Sequence, residues 1–342
     1  MDYFGGVSLN KKLRVAVVGL GKMGLLHASI ISFLPDAELV AFCEKNSMIR
    51  RFLKGTLNRV RVVDDVRKLS GLDLDAVYVT TPIASHFPII KEVFSEKIAS
   101  NIFVEKTLAS SFNEAKELCE LARKLGDVNM VGYQRRFSVT YRKAKKLLDQ
   151  RVIGKPISFN VYAFSSDFLG SEADSKAHAA SIGALRDLGC HAIDVALWFF
   201  GDMQIKSVEF KNSDGGSGGR ISFECATSNG LKGKFDVSQS MKNYRMPEVG
   251  FFINGSLGTI EVTDDKVDLK LKDGKTFRWY RHNLNDNVAF LLGTPEYFRE
   301  DEHFIKSVLH GQLAEPSFNT ALKVDYLISQ IEDKTAKINV AT

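Results

Sequence analysis

The chain has 342 residues, which predicts two domains at a typical size of about 150 residues each. Hydrophobic residues make up 44% and charged residues 25%; with no long apolar span and no secretory leader, we expect a cytoplasmic protein that does not bind membranes. A net charge of +5 over 46 basic and 41 acidic side chains is too balanced for a nucleic-acid surface, and four dispersed cysteines predict neither disulfides nor a zinc site.

The first predicted strand, residues 13–18, follows a predicted N-terminal tail (1–12) and leads directly into a glycine-rich turn. In a dinucleotide-binding turn the first glycine allows a tight bend, the second admits the pyrophosphate and the third permits close packing of the next helix. The N-terminus of that helix faces the phosphates. The predicted cofactor contacts in this turn are Gly19, Gly21, Lys22, Met23 and Gly24.

Glu44 comes twenty residues after the last glycine, at the end of a second predicted strand (38–43). A carboxylate there accepts hydrogen bonds from the adenosine ribose hydroxyls and repels a 2′-phosphate, which favours NAD as the cofactor. Its neighbour Lys45, together with Arg50 and Arg51, would offset part of that repulsion, so NADP stays an alternative. A solvated loop carboxylate is the other interpretation of Glu44.

Four more predicted strands, at 59–63, 76–80, 101–104 and 128–132, alternate with amphipathic helices. This order predicts an α/β, Rossmann-type domain over 13–132 with a doubly wound parallel sheet. Right-handed crossovers place the loops after the strands along one edge. The further residues expected at that edge are Thr80, Thr81, Pro82, His86, Glu105 and Lys106.

The succession of strands in residues 133–342 predicts a second domain, of the α+β type, with a large, mainly antiparallel open sheet. Its predicted strands are 156–164, 205–211, 220–227, 231–240, 249–253, 258–262 and 267–271. Two helices, at about 295–309 and 321–331, are expected to cover part of the sheet. The glycine-rich segment 214–219 joins two strands and is therefore interpreted as a hairpin turn. The open sheet face favours a homo-oligomer.

Five motifs in order carry a family resemblance. They are Gly19-Leu-Gly-Lys-Met-Gly24 with His27, Thr80-Thr-Pro-Ile-Ala-Ser-His86, Val104-Glu-Lys-Thr107, Gly132-Tyr-Gln-Arg-Arg-Phe137 and Asp187-Leu-Gly-Cys-His191-Ala-Ile-Asp194. Over nearly its whole length the chain resembles the glucose-fructose oxidoreductase and inositol dehydrogenase (Gfo/Idh/MocA) family. The resemblance implies an NAD(P)-dependent oxidoreductase acting on a sugar, cyclitol or related polyol. Thr107 stands where the family usually has proline, so we expect a freer backbone there.

Hydride transfer to a nicotinamide needs a group that takes the hydroxyl proton and a charge that stabilises the alkoxide. Lys106, which resembles the lysine of the family's Glu-Lys-Pro motif, would supply that charge. Asp187, His191 and Asp194 share one face if their segment is helical. An imidazole suits proton exchange near neutral pH; the resemblance implies that role for His191 and substrate binding for Asp187.

Each of these side chains also has a structural interpretation. Lys106 can be a surface lysine, His191 a core histidine and Asp194 a support for that histidine. His86 either approaches the nicotinamide ribose or begins a helix. A metal site is not predicted, because no further ligand pattern accompanies Asp187 and His191.

Three arginines, Arg135, Arg136 and Arg186, add positive charge near these motifs. One interpretation is that they bind an acidic or phosphorylated sugar, and Arg136 and Arg186 are then the candidate substrate contacts. The other interpretation is that the arginines only pack the protein together. The segments 165–170 and 176–183 are expected to form a lid over the cleft. Sequence patterns do not fix the geometry of these loops, so they do not identify the substrate. Two other functions stay open: a glycoside hydrolase with tightly bound NAD that is not consumed, and a nicotinamide-sensing regulatory protein.

Overall fold

The computed structural model describes residues 12–57, 59–166, 183–212, 219–286 and 295–341. The chain forms two compact units. Unit 1 consists of residues 1–105, 117–132 and 290–318, and unit 2 of residues 106–116, 133–289 and 319–342. Each unit is therefore assembled from segments that are distant in sequence. The predicted tail 1–12, apart from Lys12, the tip of the predicted hairpin (213–218) and most of the predicted lid (167–182) lie outside the described residues.

Unit 1 is built on a six-stranded parallel sheet with the strand order β3-β2-β1-β4-β5-β6. The strands are β1 (Leu13–Val18), β2 (Ala37–Cys43), β3 (Arg61–Val63), β4 (Ala76–Val79), β5 (Asn101–Glu105) and β6 (Asn129–Gly132). Every residue of β4 and β5 is buried, as expected for strands in a parallel sheet covered on both faces. The chain order reverses between β1 and β4, which makes the carboxyl ends of these strands the expected ligand site.

Unit 2 contains an eight-stranded sheet with the order β14-β13-β12-β11-β7-β10-β9-β8. Its strands are β7 (Pro156–Phe164), β8 (Met203–Asn212), β9 (Gly219–Thr227), β10 (Lys232–Ser238), β11 (Glu248–Gly255), β12 (Gly258–Val262), β13 (Lys266–Leu271) and β14 (Thr276–Tyr280). Only the central pair β7 and β10 runs parallel among the described pairings. The predicted α/β fold class is confirmed.

The helices are α1 (Lys22–Phe33), α2 (Ser47–Thr56), α3 (His86–Ser95), α4 (Phe112–Leu125), α5 (Val139–Asp149), α6 (Cys190–Phe200), α7 (Pro295–His310) and α8 (Phe318–Ala341). Asn46 caps α2, because its side chain accepts hydrogen bonds from the N–H groups of Met48 and Ile49. The last helix is longer than the predicted 321–331. None of the described helices is long and apolar enough to cross a membrane.

Candidate active site

A cavity of about 850 Å³ lies at the carboxyl edge of the sheet in unit 1. Its lining comes from the ends of β1, β2, β3 and β4 and from one face of α3. The predicted cofactor residues that line it are Gly19, Gly21, Lys22, Met23, Glu44, Lys45, Thr80, Thr81 and Pro82. This volume falls in the range of ligand pockets, and its place beside β1 and β4 is the one expected for a dinucleotide.

The glycine turn has the backbone that a pyrophosphate needs. Gly19 has φ +91°, and a Cβ there would lie 2.6 Å from Cγ2 of Thr81. A Cβ on Gly24 would lie 1.9 Å from the carbonyl oxygen of Gly19, so the turn itself requires the third glycine, whereas the sequence predicted helix packing as the reason. A Cβ on Gly21 would meet no atom within 4 Å, and this residue faces the open cavity.

No side chain caps the N-terminus of α1, which begins at Lys22, and its first turn holds no acidic residue. Its first N–H groups are therefore available to an anion, and the helix dipole favours one there. The turn and this helix end together fit a dinucleotide pyrophosphate.

Glu44 is held at the cavity wall by the backbone. Its carboxylate accepts hydrogen bonds from the N–H groups of Leu20 (2.7 Å) and Asn46 (2.7 Å). The guanidinium of Arg50 instead donates to the carbonyl oxygens of Glu44 (2.9 Å) and Lys45 (2.5 Å). The negative group at the end of β2 thus faces the cavity, which is the arrangement that favours a free ribose over a 2′-phosphate.

The loop after β4 fixes the glycine turn. Thr80 donates from its hydroxyl to the carbonyl oxygen of Gly19 (2.7 Å), and the hydroxyl of Thr81 is buried without a hydrogen-bond partner in the described chain. His86 is fully buried, begins α3 and donates from Nε2 to the carbonyl oxygen of Thr81 (2.8 Å). This contact agrees with the helix-start interpretation of His86.

Glu105 belongs to a buried cluster in unit 1 that the sequence did not predict. The ring of His27 contacts Asp301 through Nδ1 (2.8 Å) and Glu105 through Nε2 (3.0 Å). When both carboxyl groups are ionised, both ring nitrogens donate, as in an imidazolium. Burial raises the pKa of Asp301, and the charge and hydrogen bond of His27 act against that rise. Burial alone would lower the pKa of His27, but the charges and hydrogen bonds of Asp301 and Glu105 outweigh it and raise the pKa.

Glu300 lies beside this cluster, fully buried, and neither of its carboxyl oxygens has a hydrogen-bond partner in the described chain. Burial and the nearby carboxylate of Glu105 raise the pKa of Glu300. The raised pKa favours the neutral carboxylic acid over the carboxylate.

Lys106 is the residue after β5 and the first residue of unit 2. Its Nζ forms an ion pair with the carboxylate of Asp187 and also donates to the carbonyl oxygen of Asp187 (2.6 Å). Burial opposes ionisation of Asp187, but Lys106, with a further hydrogen bond from Gln239, outweighs it and lowers the pKa of Asp187. Lys106 and Asp187, two of the predicted catalytic residues, are thus in direct contact.

Thr107 is fully buried and its hydroxyl donates to the carbonyl oxygen of Ala109 (3.2 Å). The peptide bond between Lys106 and Thr107 is cis. The expectation of a freer backbone at Thr107 stays a prediction.

His191 lies in the first turn of α6, only 4% exposed, edge-on to the ring of Tyr133 at 6.0 Å. Its Nδ1 is buried without a hydrogen-bond partner in the described chain. Burial first, and then the positive charges of Arg135 and Lys106, lower the pKa of His191. The ring is therefore neutral at neutral pH, the state that can accept a proton.

Asp187 precedes α6 in a π-helical turn, Leu185–Gly189, where the sequence predicted one continuous helical face. Asp194 is fully buried and its carboxylate takes two hydrogen bonds from Arg136, at 2.7 Å and 2.8 Å. The carboxylate of Asp194 thus holds an arginine, and its support of His191 stays a prediction.

The other two arginines are also bound by carboxylates. Arg135 makes two 3.0 Å hydrogen bonds to Asp264, and Arg186 binds Glu332 at 2.8 Å and 2.9 Å. These pairs match the packing interpretation of the arginines.

The four cysteines are free and buried, and the described residues contain no group of three or more histidine, cysteine or acidic side chains arranged to hold a metal ion.

Comparison with known families matches both parts of the chain. Residues 13–133 match the GFO/IDH/MocA oxidoreductase family with an NAD-binding Rossmann fold, and residues 141–261 match the GFO/IDH/MocA C-terminal domain. The chain belongs to the Gfo/Idh/MocA family. The predicted family, with its oxidoreductase class and NAD-binding domain, is confirmed.

Two relatives represent the curated members of the family. The scyllo-inositol 2-dehydrogenase (NAD(+)) of Bacillus subtilis (strain 168) is 30% identical over 202 residues, 56% of this chain and 55% of the relative. The inositol 2-dehydrogenase of Rhizobium meliloti (strain 1021) is 24% identical over 321 residues, 91% of this chain and 93% of the relative. Against the Bacillus relative and several others, the chain spans about half the length of the curated proteins it matches.

Among solved structures, levoglucosan dehydrogenase in complex with NADH and levoglucosan superposes with a TM-score of 0.81. The match covers 96% of this chain and 98% of that structure at 21% identity. At this identity the likeness shows a shared fold.

Proposed function

We propose that this Gfo/Idh/MocA protein is an NAD-dependent dehydrogenase that transfers a hydride between a secondary alcohol of a sugar, cyclitol or related polyol and the nicotinamide ring. Residues 13–132 supply the dinucleotide-binding part, and residues 133–342 together with Lys106 supply the substrate-binding part. The observation that carries the proposal is the pairing of Lys106 with Asp187 beside a histidine, His191, that is kept neutral. The names of the relatives, which act on inositols and glucosides, support the substrate class.

The cavity in unit 1 is the proposed NAD site. The turn at 19–24 and the N-terminus of α1 bind the pyrophosphate, and Glu44 accepts hydrogen bonds from the adenosine ribose. Thr80 keeps the turn in shape. NAD held by these residues would supply the hydride acceptor for the substrate carbon.

Three side chains of unit 2 handle the rest of the reaction. His191, as the neutral imidazole, takes the proton of the substrate hydroxyl while the carbon–hydrogen bond breaks and the carbonyl forms. Lys106 stabilises the negative charge that develops on the substrate oxygen. Asp187 accepts hydrogen bonds from neighbouring substrate hydroxyls and keeps Lys106 oriented.

The substrate is proposed to be uncharged. Arg136 and Arg186, the two candidate substrate contacts, are each engaged by buried or half-buried carboxylates. Neither guanidinium is therefore left to pair with an acidic or phosphorylated sugar.

The test is NADH formation at 340 nm with inositols, levoglucosan, methyl glucosides and sugar acids, with NADP run in parallel. We expect NADH with a neutral polyol, little with sugar acids, and loss of the signal in Lys106→Met. Lys323→Met is the matched control, because Lys323 also pairs with an aspartate, Asp202, but on the surface. Glycoside cleavage without net NADH would instead favour the hydrolase, and NAD binding without either reaction would favour the sensor.

The open face of the sheet in unit 2 is the proposed site of homo-oligomer formation. Asn160, Phe252 and Glu261 lie side by side across β7, β11 and β12 on that face, and Phe252 is 41% exposed. Light scattering after size exclusion should show a lower mass for Phe252→Lys than for the wild type. An unchanged mass would exclude this face as the interface.

A further inference from the structure

Gln239 is a buried polar residue in unit 2 that neither the sequence motifs nor the family comparison single out. It is the residue after β10 and is 4% exposed. β10 pairs in parallel with β7, and the N–H of Ser165, the residue after β7, donates to the carbonyl oxygen of Ser238 (3.0 Å). The backbone that carries Gln239 is thus anchored at the centre of the eight-stranded sheet.

The side chain of Gln239 contacts one of the proposed active-site residues. Its Nε2 donates to Oδ2 of Asp187 (2.8 Å), while Oδ1 of the same carboxylate pairs with Lys106. A carboxylate only accepts hydrogen bonds, so the amide nitrogen of Gln239 must face Asp187. The two oxygens of Asp187 therefore have separate donors, one charged and one neutral.

A second observation is the amide oxygen of Gln239, which is buried without a hydrogen-bond partner in the described chain. A buried acceptor left unsatisfied is costly, so a residue selected only for stability would be better replaced by an apolar side chain of similar size. The contact with Asp187 gives a reason to keep an amide at this position.

We propose that Gln239 is a positioning residue that holds the carboxylate of Asp187 against Lys106, an inference that rests on the proposed function. Lys106 alone leaves the carboxylate free to rotate about its χ2 angle, because a single ammonium can pair with either oxygen. The neutral amide fixes which oxygen faces Lys106 and adds no charge that would compete with Lys106 for the substrate oxygen.

The test compares Gln239→Leu, Gln239→Glu and, as a matched control, Gln204→Leu, which removes an exposed glutamine of β8 in the same sheet. We expect Gln239→Leu to lower kcat about tenfold, the loss of one hydrogen bond to a charged group, with unchanged affinity for NAD. The pKa of Asp187, followed by ¹³C NMR of labelled aspartate in the full chain, should move upward. The signal is assigned by its loss in Asp187→Asn.

Gln239→Glu keeps the size of the side chain, and its carboxyl group can donate to Asp187 only when protonated. Its activity relative to the wild type should therefore recover as the pH falls, whereas the melting temperature of Gln239→Leu and its activity relative to the wild type should show no such recovery. Wild-type-like kcat in both variants, with an unmoved Asp187 titration, would overturn the proposal. If the wild type forms no NADH with any polyol, the proposed function has failed, and the Asp187 titration alone decides the role of Gln239.

Discussion

His27 in unit 1 and His191 in unit 2 are buried to nearly the same degree, at 0% and 4% exposure, and they differ in what touches the ring. His27 has a carboxylate on each nitrogen. The Nδ1 of His191 is buried without a hydrogen-bond partner in the described chain, and the positive charges of Arg135 and Lys106 act on the ring. Burial acts on both rings in the same direction, so the opposite pKa shifts come from the neighbouring charges.

The comparison separates two uses of one side chain. An imidazolium between two buried carboxylates neutralises charge that the fold could not otherwise bury, and so serves stability. A neutral imidazole has a lone pair that can accept a proton, which is the role proposed for His191. We therefore expect substitutions of His27 to change the stability of the protein and substitutions of His191 to change its turnover.

The largest expected effect is that of His27→Phe. This ring keeps the packing against Phe103 but removes the hydrogen bonds from His27 to Asp301 and Glu105, which should cost about 3–5 kcal/mol of stability. At this chain size the melting temperature should fall by roughly 4–7 °C. His310→Phe, on the exposed end of α7, is the control and should melt close to the wild type. A change below about 2 °C in His27→Phe would show that the ring carries no charge in the native state.

His191→Asn tests the other half of the comparison. Loss of the proton acceptor should lower kcat by about 10²–10³-fold with little change in NAD affinity. The melting temperature should change little, since the neutral ring balances no buried charge. His310→Asn serves as the control for both measurements. Unchanged turnover in His191→Asn would remove this residue from the mechanism.

The pH dependence of stability sharpens the contrast, because the two histidines act in opposite directions. The native state holds a proton on His27 that the unfolded state loses above its ordinary pKa of about 6.5. The stability from His27 is thus complete below that pH and decreases as the pH rises through the raised native pKa, by up to about 1.4 kcal/mol per pH unit. His191 has the opposite effect. Below about pH 6.5 the unfolded state binds a proton that the native ring does not bind, so the free energy of unfolding decreases as the pH is lowered.

Denaturant titrations between pH 5 and pH 9 check both signs. His27→Gln should flatten the decrease above about pH 6.5, and His191→Asn should flatten the decrease below it. Glu300→Gln is a necessary companion, because burial raises the native pKa of Glu300 and this also makes stability decrease as the pH rises. Parallel pH profiles for the wild type and His27→Gln would contradict the assignment of a charged His27.

Sequence patterns predicted the parts of the molecule that follow from local repetition. Residues 13–18 form the predicted strand, and the glycine turn and Glu44 line the cavity beside it. The contact of Glu44 with a ribose stays a prediction. β14 went unpredicted because its residues are mostly exposed and show no alternation of buried and exposed positions.

The polar contacts around the two histidines and around Asp187 could not be predicted from local sequence patterns. Asp301 meets His27 across 274 positions, and Gln239 meets Asp187 across 52. No periodicity or motif links such pairs. A single glutamine after a strand does not indicate a function. The acidic residues of α7 form a pattern that is typical of a solvent-exposed helix face. The charge state of each histidine therefore became visible only with the partners around it.

The smallest expected effect extends the comparison from histidine to carboxylate. Glu105 is neutralised by a side chain, whereas Glu44 is bound by two backbone N–H groups and keeps its charge available to a ligand in the cavity. Glu44→Ser should therefore weaken the preference of kcat/KM for NAD over NADP by about tenfold, the repulsion expected between a carboxylate and a 2′-phosphate at close range. Glu38→Ser, on the exposed part of β2, should leave the ratio unchanged. An unaltered ratio in Glu44→Ser would mean that the carboxylate does not face the ribose.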